Sequence, residues 1–145
     1  MEVIIADPSR LQALTQLVLK LWPEHERCAM EQELSQGLKD PDSVFFLAYI
    51  GQKPAGFAQC GLRRDYVEGT DSTPVGYLEG IYVEPELRAQ GIARALLRAC
   101  EVWARERGCR EFASDCQLDN IQSLQFHLAS GFQEANRIIC FTKKL

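Results

Sequence analysis

The run VGYLEGIYVEPELRAQGIARALLRACEVWARERG, residues 75–108, constrains the fold more than any other part of the chain. It opens as an apolar stretch suited to a central strand and closes as an amphipathic helix, from about Gly91 to Arg107. Ile92, Leu96, Ala99 and Trp103 recur on one face of that helix, and Gly108 stops it. A strand delivered through a short turn into a helix needs a sheet to lie in.

The rest of the chain supplies that sheet. Val3 to Ala6 is a short apolar start, and DPS, Asp7 to Ser9, caps a helix whose Leu11, Leu14, Val18 and Leu21 keep helical spacing up to Trp22 and Pro23. A second helix is expected from about Cys28 to Leu38, closed by Gly37 and the turn DPDS. VFFLAYI reads as a buried strand, GQKP as a turn, and Ala55 to Leu62 as the hairpin partner. Glu111 to Asp115 is a short strand, Ile121, Leu124 and Leu128 mark a last helix stopped by Gly131, and RIICFTKKL reads as a closing strand. The expected order is β-α-α-β-β-β-α-β-α-β, an α+β fold in which a mixed sheet carries helices on both faces. Residues 1–145 fit a single domain.

Composition narrows the partners. A net charge of -4 and a pI near 5.2 disfavour a nucleic-acid backbone and suit a cationic ligand. The N-terminus MEVIIADPSR lacks a basic leader, and no window approaches the roughly 18 apolar residues of a membrane span, so a soluble, cytoplasmic protein is expected. Cys28, Cys60, Cys100, Cys109, Cys116 and Cys140 stand singly and read as free thiols. Neither His25 nor His127 has zinc-ligand spacing to a cysteine, so no metal is expected.

Two features carry chemistry. In RAQGIA a helix begins where unpaired backbone N–H groups and the positive end of the helix dipole suit a phosphate or pyrophosphate. Gly91 permits close approach and Arg88 adds charge, although a glycine that merely begins a helix has the same spelling. The second feature is Glu79 inside YLEGIYV, because a carboxylate in an apolar run needs a donor, a cation or solvent. The plain alternative places it on the exposed face of a half-buried strand. Arg63 to Pro74 has the turn composition of a long binding loop.

The segment LEGIYVEPELRAQGIARALL resembles the acetyl-coenzyme A motif of the GCN5-related N-acetyltransferase (GNAT) superfamily, in its form R-x-x-G-x-A, and HLASGF is similar to the later helix-turn of that superfamily. LWPEH, RDYVEGTDSTPVGYLEGIYV, ASDCQLDN and GFQEANR resemble more closely a bacterial group of aminoglycoside 6'-N-acetyltransferases. This resemblance implies acetyl-CoA as co-substrate. Its pantetheine would pair with Ile81, Tyr82 and Val83, and its pyrophosphate would lie against Ala89, Gln90, Gly91, Ile92, Ala93 and Arg94, with Arg88 beside them and Asn120 holding the coenzyme from the next helix.

On the acceptor side the resemblance implies Trp22, Tyr66, Glu79 and Asp115, with His25 nearby. From the residues alone, Trp22 reads first as helix-end core and Tyr66 as a solvated aromatic, while Asp115 reads equally as a turn cap. The implied reaction passes acetyl directly from thioester to a primary amine of a cationic aminoglycoside, which must first lose a proton. An ordinary carboxylate, with a pKa of about 4, is a poor base for an amine, so Glu79 and Asp115 are binding residues first and catalytic ones second. His127 stands where many members of the superfamily carry a tyrosine acid, and a packed histidine is its alternative. Asn136 stands where the aminoglycoside-modifying relatives carry an acid reaching the partner subunit's substrate, so restoring Glu there should tighten binding. A homodimer is implied by the same resemblance. An N-acetyltransferase for another polyamine or small amine, and an acetyl-CoA-binding regulatory module, remain as alternatives.

Overall fold

The period-two burial of the second strand decides how the layers stack. In the computed structural model, which describes residues 1–145, VFFLAYI lies in β2 (Ser43–Ile50). Val44, Phe46 and Ala48 join one core while Phe45, Leu47 and Tyr49 join another. A strand buried on both faces reads as a continuous apolar run, which is why no polar alternation marks it.

Around it stand β1 (Glu2–Ile5), β3 (Lys53–Arg63), β4 (Val75–Val83) and β5 (Phe112–Ser114). The helices are α1 (Leu11–Leu21), α2 (Arg27–Gly37), α3 (Ile92–Glu106) and α4 (Ile121–Ala129), with 3-10 turns at Pro8–Arg10 and Pro85–Leu87. The sheet order is β1-β2-β3-β4-β5, antiparallel throughout except for the parallel pair β4 and β5. This is the mixed α+β sheet expected. Leu14, Leu17 and Val18 of α1 pack with Met30 and Leu34 of α2 on one face. Ile92, Leu96, Leu97, Cys100 and Trp103 of α3 pack on the other.

Local chemistry sets the helix starts. The Asp7 carboxylate accepts from the Ser9 N–H at 2.8 Å, opening the turn into α1. Glu26 accepts from the N–H groups of Cys28 and Ala29, both at 2.9 Å, so α2 begins one residue earlier than its apolar pattern indicates.

One irregularity in β4 positions the site. Gln59 faces Gly80 and Cys60 faces Leu78, which leaves Glu79 as the extra residue of a β-bulge. Strict alternation would send Leu78 and Ile81 to opposite faces; the bulge turns both, and Val83, toward α3. Beyond it the sheet opens, because β5 pairs only with Gly76, Tyr77 and Leu78. From Glu79 to Val83 the β5-side edge of β4 has no strand partner.

Two expectations change. RIICFTKKL forms no strand here; residues 132–145 take neither helix nor strand, and Ile138, Ile139 and Phe141 are exposed. The physical reason is that strand propensity needs an edge to bind, and the tail instead follows the loop after β3. Asn136 Nδ2 donates to Glu68 Oε1 at 3.1 Å, and a Cβ on Gly69 would meet Ala135 at 2.6 Å. Within α4, Ile121 and Leu128 are exposed, because the helix docks through Phe126 and His127 rather than through the predicted stripe.

Candidate functional site

Glu79 leaves the ladder at the bulge and meets a cation. Arg63, the last residue of β3, donates from Nη2 to both Glu79 oxygens at 2.8 and 2.9 Å and from Nε to Oε1 at 3.1 Å. The same guanidinium lies 3.4 Å from the centroid of the Tyr77 ring. Tyr77 in turn donates its hydroxyl to Asp115, just past the end of β5. Burial, reinforced by that bond, pushes the Tyr77 phenol well above its usual value, so it stays a neutral donor. Glu79 and Asp115 thus belong to one network, linked through Arg63 and Tyr77.

Trp22 forms the wall beside it. Its ring meets Phe57 edge-on at 6.3 Å and sits over Gly80, where a Cβ would lie 2.6 Å from the indole. Glycine at 80 is therefore what lets the α1 end close on β4 next to the bulge. His25 is exposed beyond the helix end, 3.4 Å from Glu24. Tyr66 is exposed in the loop after β3. Asn136 reaches the same loop through Glu68, to which it donates.

The other end of β4 leads into a helix start with free backbone N–H groups. Gly91 caps α3 with φ 84°, and Ala89 also takes a positive φ of 61°. The backbone N–H groups from Ala89 to Arg94 have no acceptor within the chain. A groove of about 350 Å³ opens there, lined by Val83 at the end of β4, Leu87, Arg88 and Gly91 of the turn, Ile92 and Arg94 of α3, Phe126 and Ala129 of α4, and Ser130 just past it. Free N–H groups at a helix start, a flanking apolar wall and the open β4 edge fit a pyrophosphate with an extended arm. Arg88 lines this space while its Nε donates to the Val83 carbonyl at 2.8 Å and braces the turn. Asn120 caps α4 by accepting from Ser123 N–H at 3.1 Å. It does not line the groove.

His127 lies between the two ends. Its Nδ1 is 2.7 Å from the Ser123 carbonyl, which only an N–H can satisfy, so Nε2 is left for the Ser114 hydroxyl at 2.8 Å. Ser114 is the last residue of β5 and also contacts the Leu78 carbonyl at 3.3 Å, at the point where β4 and β5 part.

Arg63, Tyr77 and Ser114 were not singled out from the sequence. Tyr77 had a signal: it stands two residues before Glu79 and shares its side of the strand. Arg63 and Ser114 had none, since their partners lie 16 and 13 residues away.

The chain as a whole is similar to known proteins. The acetyltransferase (GNAT) family matches residues 11–132. The aminoglycoside N(6')-acetyltransferase type 1 of Stenotrophomonas maltophilia is 43% identical over 97% of this chain and 91% of its own length. That of Acinetobacter haemolyticus is 39% identical over 100% and 99%. Among solved structures, AAC(6')-Iy in complex with the bisubstrate analog CoA-S-monomethyl-acetylneamine superposes with a TM-score of 0.95 at 35% identity, covering 99% of this chain and 98% of that one.

Proposed function

The chain belongs to the acetyltransferase (GNAT) family, and from that premise we propose that it transfers acetyl from acetyl-CoA to the 6'-amine of aminoglycosides. The observation that carries this reading is the two-ended β4: a carboxylate cradle at its bulge and a helix-start anion groove at its end. A donor bound along the open edge between them would present its thioester to an amine held at Glu79.

The chain's residues divide the work accordingly. Ile81, Tyr82 and Val83 offer backbone groups to the pantetheine arm, and the N–H groups of Ala89, Gln90, Gly91, Ile92, Ala93 and Arg94 face the pyrophosphate. Arg88 holds the turn in shape for them. Acetyl-CoA supplies the activated thioester. Glu79 and Asp115 hold the ammonium group and orient it, with water carrying its proton away. Trp22, Tyr66, His25 and Asn136 border the acceptor. His127, which can carry a proton at Nε2, serves as acid for the departing thiolate.

We also propose a homodimer in the cytoplasm, where the coenzyme is made available to it. The support for the dimer is the tail, whose exposed Ile138, Ile139 and Phe141 need an apolar surface to cover them. The test of the activity is a coupled assay of CoA release with kanamycin as acceptor. Turnover is expected; release only with simple amines, or tight CoA binding with no release, would overturn the aminoglycoside reading.

A further inference from the structure

The cradle meant for the acceptor's cation is already filled by one from the protein. Arg63 spans both oxygens of Glu79, stacks its guanidinium on Tyr77, and is itself about as exposed as its partner, with 43% of its side chain accessible against 33% for Glu79. Asp115 is likewise engaged, by the Tyr77 hydroxyl. In the free protein neither carboxylate waits bare.

We infer that Arg63 is an internal stand-in for the acceptor's ammonium group, and that acceptor binding exchanges one cation for the other at Glu79. This deepens the proposed function and rests on it. The exchange is feasible because the pair is open to water, so the guanidinium is rehydrated as it leaves while the acceptor's cation takes its place at the carboxylate. It also keeps the unliganded site ordered: Glu79 stays oriented and the Tyr77 face stays covered until a substrate arrives. The cost falls on affinity, since each acceptor must outcompete Arg63. The site is therefore shaped for a planar guanidinium as well as for an ammonium, with two carboxylate oxygens on one side and an aromatic face beneath.

The opposite role, in which Arg63 merely props Glu79 in place, predicts effects of opposite sign, and this separates the two. In Arg63→Ala the stand-in account predicts an acceptor KM lower by up to about fivefold, the scale of one exposed ion pair. Guanidinium chloride at sub-denaturing concentration should then inhibit Arg63→Ala competitively against kanamycin and raise its KM back, while scarcely affecting the unsubstituted enzyme. The acetyl-CoA KM should stay unchanged, and in an Glu79→Gln background the Arg63 substitution should have no further effect on the acceptor KM. A raised acceptor KM that guanidinium lowers would overturn the inference in favour of a prop, and an unchanged KM would overturn it outright. Absence of kanamycin turnover in the unsubstituted enzyme would strike the proposed function instead. Calorimetric titration of kanamycin into the two proteins would then read the Arg63 effect without turnover, tighter binding to Arg63→Ala supporting the exchange and weaker or equal binding rejecting it.

Discussion

Gly80 and Trp22 touch so closely that a single added methyl would not fit between them: a Cβ at 80 would lie 2.6 Å from the indole Cη2 and 2.9 Å from Cζ2. Because Gly80 follows the bulged Glu79 directly, the contact sets where the α1 end stands relative to the cradle.

Gly80→Ala should therefore push Trp22 outward. Overpacking of a filled site costs about 1 to 3 kcal/mol, part of which the half-exposed ring can relieve by moving. The acceptor KM is expected to rise and the tryptophan emission to change, with the acetyl-CoA KM near its original value. An unchanged acceptor KM would remove Trp22 from the acceptor wall.

His127→Gln keeps a polar side chain opposite Ser114 but cannot carry a proton. With His127 as the acid, kcat should fall by roughly tenfold, below the usual range of about 100-fold or more for general acids because a thiolate is already a good leaving group. Near-normal kcat would assign His127 to packing against Phe126 and Phe132.

Glu84 is a buried carboxylate, and Lys20 on α1 bonds to it, with the Tyr82 hydroxyl at 3.3 Å. Lys20→Met leaves that carboxylate without its cation. The loss should be about 1 to 2 kcal/mol, discounted from a fully buried pair because the Lys20 side chain is 41% exposed. Melting temperature should drop by several degrees. The bond to Glu84 raises the Lys20 pKa, so its stabilisation is complete below the ordinary lysine value, about 10.4, and fades as pH climbs through the raised folded value. The gap in melting temperature should hold from pH 7 to 9 and close only at strongly alkaline pH.

Much of this was legible in the residues. Gly91 at a helix start after an apolar strand and a carboxylate within YLEGIYV pointed to the two ends of the site because each breaks a local rule that burial would otherwise enforce. What was hidden is non-local. The bulge at Glu79 depends on how Gln59 and Cys60 pair across the sheet, and Arg63 reaches Glu79 only once β3 and β4 are in register. Arg88 reads as a phosphate ligand in sequence, and no local pattern shows that its Nε also braces the turn through the Val83 carbonyl. RIICFTKKL has strand composition, and composition cannot tell a chain which edge it will find.

The exposed tail gives a direct oligomerisation test. Paired Ile139→Asp and Phe141→Asp substitutions put charge where the proposed partner would cover apolar side chains, both exposed in the single chain. Sedimentation velocity should show a dimer for the unsubstituted protein and a monomer for the variant. A monomer in both, at micromolar protein, would reject the dimer.

The central claim, that β4 brings a thioester to a 6'-amine held at Glu79, is tested most directly by the site of acetylation. Two-dimensional NMR of the kanamycin product should place the acetyl group on N6' alone, and Glu79→Gln should slow its formation without altering the acetyl-CoA KM. Acetyl found on another nitrogen, or on N6' at an undiminished rate in Glu79→Gln, would contradict the account.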